Sequence, residues 1–226
     1  HISFKGFKPQ IIFVKNILSV GIPSIIMSSV GSAMTFGMNK ILITFSSTAV
    51  AVFGVYFKLN SFVFMPVFGL NNGMVPIVSY NYGAQNKKRL TKTIKLAIMY
   101  AVCIMLIGIM LFQFMPDVLL KLFDASDHML EIGIPALRVI SLSFAFAGIC
   151  IVISSSLQAL GHGFLSMMIS ITRQLIILLP SAYILAKFGG IHAVWWSFNI
   201  AEIGSLTLSL LFFKHMYNKI IKHLGE

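Results

Sequence analysis

Charged side chains are scarce in this 226-residue chain, and acidic ones are the scarcest. Asp, Glu, Lys and Arg together make up 10% of the residues, only six residues are acidic, and 58% are hydrophobic. A folded domain of this composition would expose too little polar surface to stay dissolved in water, so a soluble globular protein is excluded. We therefore expect the lipid bilayer to be the solvent of this chain and the cell membrane to be its location.

Groups that carry catalysis or bind metals are also sparse. The two cysteines, Cys103 and Cys150, lie in apolar stretches where a thiol is usually a packing residue, and the six histidines have no ligand spacing. No glycine-rich phosphate-binding loop with its Lys occurs, so an ATPase is not predicted. The sequence therefore predicts neither a metal site nor a cofactor, and enzymatic activity is not expected. A membrane-embedded hydrolase or transferase would need converging acid, base or metal-ligand groups, and is the least favoured class.

The sequence contains instead a series of long apolar segments. A bilayer core about 30 Å thick needs about 20 helical residues to cross, which is far longer than the barrel strands of about 9–11 residues. Backbone groups in lipid must also hydrogen-bond internally, which favours helices. The sequence therefore predicts an all-α, polytopic membrane protein. The chain divides into a lead-in at 1–15, a transmembrane lobe at 16–216 and a tail at 217–226. Six transmembrane helices are predicted in the lobe, at 17–45, 50–80, 94–116, 130–160, 163–186 and 192–214.

The distribution of Lys and Arg predicts the orientation, because cytoplasmic loops collect these residues. With both termini inside, eleven of them fall on the cytoplasmic side, five within 87–95, and two fall outside, Lys121 and Lys187. Both termini of this chain are therefore predicted to be cytoplasmic. The net charge of +11 is explained by loops that flank the membrane, so nucleic acid is not an expected partner.

Four charged residues lie deep within the predicted helices: Lys58, Arg138, Arg173 and Glu202. Each is roughly 13–15 Å from a helix end, where an unpartnered charge costs about 2.5–3.5 kcal/mol. Arg173 and Glu202 lie at similar depth on sequential antiparallel helices, so an ion pair is predicted, which either clamps the helices or lets Glu202 take part in ion coupling. Lys58 and Arg138 have no acidic partner of their own, and we expect them to face a wet cavity or a partner outside this chain.

The most distinctive stretch runs from Phe57 to Leu90, along the second predicted helix and its exit. Pro66 and Gly69 are followed by Pro76, then by Asn-Tyr-Gly-Ala at 81–84 and a basic cluster. This order resembles the multidrug and toxic compound extrusion (MATE) family. The resemblance continues through residues of the first, fourth and fifth helices: Gly21, Pro23, Gln158, Ala159, Gly161, Arg173 and Pro180.

The resemblance implies a twelve-helix transporter with two six-helix lobes around a central cleft, of which this chain matches the C-terminal lobe. A missing N-terminal lobe is then an expected partner, together with the bilayer and a small organic cation. The implied activity is secondary active export of organic cations, drugs or other xenobiotics in exchange for H+ or Na+. One branch of the family has a carboxylate near the position of Gly31, but this chain has no Asp or Glu between Asn16 and Asn39. The coupling site is therefore expected in the missing lobe.

Cleft residues are predicted from side-chain chemistry, since Met and Phe adapt to flat apolar cations and a few amides orient them. The candidates are Met34, Asn39, Phe57, Lys58, Asn60, Met65 and Asn71, with Phe62, Phe64 and Asn72 beside them. Proline inside a helix removes a backbone hydrogen bond and favours a kink, which serves either gating or curved packing. The hinge candidates are Pro23, Pro66, Pro76 and Pro180.

A lipid-linked oligosaccharide flippase of the same superfamily is the alternative function. Its anionic pyrophosphate substrate would require several cationic residues in the cleft, for which Lys58, Arg138 and Arg173 are the candidates. The Asn-Tyr-Gly-Ala exit favours the exporter.

Overall fold

The chain is helical throughout the part that is described. The computed structural model describes residues 11–225, apart from the side chains of residues 16 and 20, and this range contains no β-strand. The all-α prediction is confirmed. Residues 1–10 of the predicted lead-in lie outside the described residues.

Nine α-helices, one π-helical segment and one short 3-10 helix follow one another within residues 11–225. Their bounds are α1 (Ile11–Leu42), α2 (Ser47–Gly83), α3 (Lys87–Phe114), α4 (Pro116–Lys121), α5 (Asp127–Ser141), α6 (Phe144–Ala159), α7 (Gly163–Ile171), the π-helical segment (Thr172–Leu178), α8 (Leu179–Val194), α9 (Trp196–Lys219) and the 3-10 helix (Ile221–His223).

By length and composition, these helices provide five membrane spans, or six with one bent pair counted as a single span. Five stretches are long and apolar enough to cross a bilayer: α1, α2, α3, Gly163–Val194 and Trp196–His223. The sixth crossing consists of α5 and α6, which meet at an angle of 50°. The prediction of six transmembrane helices is confirmed, with the fourth one bent.

Some helix ends differ from the prediction. α1 begins at Ile11, so residues 11–15 of the predicted lead-in continue the first helix instead of forming a separate segment. α9 continues to Lys219, past the predicted end at 214. Between the fifth and sixth predicted helices, Gly190 has a φ of 68° that interrupts α8, a conformation that glycine adopts without steric cost. The sequence located that break correctly, between residues 186 and 192.

Side-chain caps set the starting points of three helices. The side-chain oxygens of Ser46, Asn86 and Ser126 each accept a hydrogen bond from the backbone N–H three residues later. Each bond satisfies a donor that has no partner inside the helix. These caps fix where α2, α3 and α5 begin, and therefore the depth of the side chains along them.

The centre of the lobe is formed where α3 packs between α2 and α6. Two glycines permit the close approach, because a Cβ at Gly108 would collide with Val63, and one at Gly148 would lie 2.9 Å from Cγ of Met105. On the outside, large apolar side chains such as Phe114 and Phe188 are exposed, as a lipid-facing surface requires.

None of the four hinge candidates lies at the 50° bend between α5 and α6. Pro23 lies inside α1, and Pro66 and Pro76 lie inside α2, where neither helix is interrupted. The 50° bend falls between α5 and α6, at residues 142–143. Pro180 differs from the other three, because it lies just after the π-helical segment.

Candidate functional site

A cavity of about 560 Å³ lies between α1, α2, α6, α9 and the π-helical segment. It occupies the half of the lobe that contains the C-terminal end of α1 and the N-terminal ends of α6 and α9. Phe57, Met65 and Phe68 line this cavity and are nevertheless exposed, so the cavity is open along α2. We call it the α2 cavity. Its volume is within the range of sites that hold drug-sized molecules.

Aromatic rings form much of the wall of the α2 cavity. Tyr56 of α2 and Phe198 of α9 meet edge to face with their centroids 5.6 Å apart. Phe64 of α2 and Phe144 of α6 meet in the same way at 5.3 Å. These pairs hold α2 against both neighbouring helices while leaving ring surface toward the cavity. Six aromatic side chains line it in all: Tyr56, Phe57, Phe64, Phe68, Phe144 and Phe198.

Among the described residues, Glu202 is the one acidic side chain that lines the α2 cavity, and it is paired with Arg173. Nη1 of Arg173 lies 3.2 Å from Oε1 of Glu202, with the two side chains 27% and 14% exposed. The ion pair predicted from depth is therefore present. The second carboxylate oxygen, Oε2, is buried and has no hydrogen-bond partner within residues 11–225.

The π-helical segment brings Arg173 and its neighbour Gln174 into the cavity wall. A π turn lets a helix continue where a regular backbone hydrogen bond is missing. Here Pro180 has no N–H to donate to the backbone carbonyl of Ile176. Nε2 of Gln174 donates to Oγ of Ser170 over 3.1 Å. Its Oε1 faces α1, where a Cβ on Gly31 would lie 3.7 Å away.

The profile of the MatE family matches residues 23–184, which is most of the chain. This chain belongs to the MatE family. The resemblance to MATE transporters stated from the sequence is thereby confirmed.

Two curated relatives of this MatE chain are multidrug export proteins MepA. The protein from Staphylococcus haemolyticus (strain JCSC1435) is 27% identical over 221 residues, covering 96% of this chain and 47% of the relative. The protein from Staphylococcus aureus (strain MSSA476) is 29% identical over 201 residues, covering 89% and 44%. The chain thus spans about half the length of the curated relatives it matches.

Solved structures show the same fold over half of longer chains. An outward-facing multidrug resistance MATE transporter of the MOP superfamily superimposes with a TM-score of 0.90 at 24% identity, covering 98% of this chain and 50% of that one. An inward-facing structure gives 0.86 at 23% identity, covering 98% and 52%. A MOP superfamily transporter from Pyrococcus furiosus, described as having a binding pocket of reverse polarity, gives 0.89 at 23% identity, covering 100% and 50%. Such coverage fits one lobe of a two-lobe transporter.

Four predicted cleft residues of this MatE lobe line the α2 cavity: Met34, Phe57, Asn60 and Met65. Asn60 is held by the hydroxyl of Tyr56, which donates to its Oδ1 over 3.4 Å. Phe64, predicted beside them, also lines the cavity.

Asn39 and Asn71 were predicted in the cleft but do not line the cavity. Asn39 lies beyond Met34 toward the end of α1, and Asn71 lies one turn beyond Phe68 along α2. Asn71 is buried, and its amide has no hydrogen-bond partner among the residues that the structure describes. Phe62 and Asn72 likewise lie outside the cavity lining. The cavity spans about three turns of α2, whereas the prediction distributed candidates over a longer stretch.

Lys58 does not line the α2 cavity either. Its ammonium lies over the ring of Phe123, 5.7 Å from the centroid, in the connection that follows α4. The long Lys stem lets the charge leave the depth of its own Cα and reach an aromatic face. Arg138 is exposed on α5, lies outside the cavity lining and forms no ion pair within residues 11–225.

Several lining residues were missed by the sequence reasoning. Phe198 could have been found, because it lies four residues before Glu202 and therefore on the same face of α9. Gln174 could not, because a regular helix would turn it away from the face of Arg173, and no recognised motif marks the π turn.

Proposed function

We propose that the complete protein exports organic cations and other xenobiotics in exchange for an ion, and that this MatE chain forms one of its two lobes. The observation that carries the proposal is the α2 cavity, with six aromatic rings and one carboxylate in its wall. Ring faces attract cations, and Met34 and Met65 adapt to cations of different shape. The export function named for the MepA relatives supports the same substrate class.

A second six-helix lobe would close the open side of the α2 cavity. Phe57, Met65 and Phe68 are exposed along that side, and the chain spans about half the length of its relatives. A lobe packed there would face these side chains and turn a half-open cavity into an enclosed pathway between two walls. The missing N-terminal lobe is therefore part of the proposal.

The coupling ion in this proposal is H+ or Na+, and the second lobe provides the coupling carboxylate. Gly31 stands in the cavity wall where one branch of the family has a carboxylate. Glu202 is engaged by Arg173, which supports a clamp between α9 and the π-helical segment. If Glu202→Gln changes the pH or Na+ dependence of transport, the clamp assignment is wrong and coupling involves this lobe.

The flippase alternative is less favoured because the α2 cavity lacks a concentration of positive charge. Of the three cationic candidates only Arg173 lines it, and that guanidinium is paired with Glu202. Lys58 and Arg138 lie elsewhere. An anionic pyrophosphate would find no unpaired cation among the described residues of this wall.

Drug resistance tests the proposal. We expect the complete protein to raise the minimal inhibitory concentration of ethidium and tetraphenylphosphonium several-fold in bacteria that lack their own exporters. Phe198→Ala should lower this resistance because it removes a ring from the wall, whereas Lys58→Gln should not. The flippase would be favoured if the protein reaches full membrane expression without giving resistance to any cation, and if the pools of lipid-linked oligosaccharide change.

Ion coupling is tested separately in proteoliposomes that contain the complete protein. An imposed pH or Na+ gradient should drive uptake of a fluorescent cation, and uptake should stop when the gradient is collapsed by an ionophore. Uptake that needs neither gradient would contradict ion-coupled exchange.

A further inference from the structure

A cationic groove lies at the start of α3, away from the α2 cavity. Lys88, Arg89, Lys92 and Lys95 are exposed there, and none of them forms an ion pair within residues 11–225. Two depressions meet at this place, one of about 470 Å³ between α2 and α3 and one of about 660 Å³ along α3. Lys92 and Leu96 line both depressions. We call this surface the α3 groove.

The length of α3 places these cations at the membrane surface. α3 has 28 residues, or about 42 Å, which exceeds a bilayer core of about 30 Å by roughly eight residues. Residues 96–114 carry no charge, so the excess length lies at the Lys-rich end. The first two turns of α3 therefore project into the headgroup layer, on the side that the sequence predicts to be cytoplasmic.

One face of α3 changes from cationic to apolar within a single turn. Lys88, Lys92 and Lys95 are followed on this face by the exposed side chains of Leu96 and Met99. Residues three and four apart share a helix face, so the charges and the apolar side chains form one continuous strip. A molecule that fits this strip has an anionic group at one end and a hydrocarbon chain at the other.

The opposite wall of the smaller depression comes from the end of α2. Pro76 and Ile77 line it at the depth of the apolar strip, and Tyr80, 74% exposed, lies nearer to the cations. Tyr at this depth is typical of a membrane interface, where the ring contacts lipid and the hydroxyl contacts water. The wall thus repeats the order of polar and apolar contacts seen on α3.

The edge of the groove is fixed by the C-terminal segment. Nζ of Lys87 donates a hydrogen bond of 2.7 Å to the backbone carbonyl of Lys222, within the 3-10 helix Ile221–His223. Lys87 also lines the larger depression, so this bond holds one more cation in place beside the others.

We propose that the α3 groove binds an anionic phospholipid, with the phosphate between Arg89 and Lys92 and an acyl chain along Leu96 and Met99. Charge complementarity selects an anionic headgroup over a zwitterionic one. The apolar strip selects a lipid over a soluble phosphate compound. The site is separate from the α2 cavity and goes beyond the proposed export function.

Lipid binding to the purified complete protein tests the site without reference to transport. Native mass spectrometry or titration in detergent would compare phosphatidylglycerol with phosphatidylcholine of the same chain length. We expect preference for phosphatidylglycerol, and Lys92→Gln should weaken that binding about fivefold, the effect of one interfacial cation. The matched control is Lys214→Gln, which removes an exposed Lys near the end of α9 on the same side and should leave the affinity unchanged.

Three results would overturn the proposal. Equal affinity for the two lipids would remove the headgroup preference. If Lys92→Gln and Lys214→Gln weaken the binding of phosphatidylglycerol equally, the lipid is attracted by the general positive charge of this side and not by the α3 groove. Binding of soluble glycerophosphoglycerol as tight as that of the lipid would show that the apolar strip contributes nothing. If Lys92→Gln lowers the folded yield, Lys88→Gln and Lys95→Gln provide the same comparison with Lys214→Gln.

Discussion

Arg173 and Glu202 show how this lobe keeps charge at depth. Each alone would be costly in an apolar bundle, but together they form one contact of 3.2 Å between the π-helical segment and α9. Both side chains also line the α2 cavity, although Oε2 of Glu202 is buried. The pair therefore joins two elements and borders the site at once.

We predict non-additive effects on stability when this pair is removed. Arg173→Gln or Glu202→Gln alone should lower the free energy of unfolding by about 1–3 kcal/mol, because each leaves a partly buried charge without its partner. The double variant should lose less than the sum of the two, by about 1 kcal/mol. Thermal unfolding of the complete protein in detergent checks this. Strictly additive losses would mean that the contact contributes nothing.

A second prediction at the residue scale concerns Gly31. Because a Cβ there would lie 3.7 Å from Gln174, an ordinary contact, Gly31→Ala should fold and keep resistance. Gly31→Leu should extend into the α2 cavity and lower resistance several-fold, most strongly for the largest cations. Inhibitory concentrations measured at equal membrane expression check this. Gly21→Leu is the control, since a Cβ there meets nothing within 4 Å; an equal loss in this variant would contradict a steric effect in the cavity.

The residue scale also shows where sequence reasoning stops. Depth follows from counting residues along a helix, and this predicted the Arg173 and Glu202 pair. Depth does not say toward which neighbour a side chain points, so it could not show that Lys58 contacts Phe123. Nor could it show that the amide of Asn71 is buried, since an amide is equally plausible in a cleft and in a core.

At the scale of elements, the spans were predictable and their irregularities were not. Long apolar runs and flanking charges predicted six crossings, and the break at Gly190 falls between the predicted segments 163–186 and 192–214. The bend at 142–143 contains no proline, and the π turn at Thr172–Leu178 has no motif. The bend depends on packing between helices, which a single sequence does not display, and a proline such as Pro180 does not by itself indicate a π turn rather than a kink. The π turn nevertheless decides which side chains of the fifth span reach the α2 cavity.

We predict that Pro180→Ala impairs function more than stability. With a backbone N–H restored, the segment can close the regular hydrogen bond to Ile176 and favour an α-helix, which would turn Arg173 away from Glu202. Cation uptake into proteoliposomes should fall several-fold, while the melting temperature should stay close to that of the unchanged protein. Pro135→Ala in α5, outside the cavity lining, is the control. If both variants lose uptake equally, the π turn has no special role.

At the scale of the whole molecule, the lobe has a well-packed centre and an incomplete site. Close packing of α2, α3 and α6 gives it a core of its own. The α2 cavity in contrast is open along a row of exposed side chains, and the chain matches half of longer transporters. This combination is what one wall of a two-lobe pathway requires. The central claim is therefore that the substrate occupies the α2 cavity of the complete protein.

Substrate protection of single cysteines tests this claim most directly. After replacement of Cys103 and Cys150 by Ala, Met65→Cys and Phe62→Cys would be labelled with a maleimide in the complete protein. The two positions lie on α2 with 67% and 70% exposure, but only Met65 lines the cavity. We expect tetraphenylphosphonium to slow labelling at position 65 several-fold and to leave position 62 unchanged. Equal labelling rates with and without the cation at position 65, in protein that still transports it, would mean that the substrate does not occupy the α2 cavity.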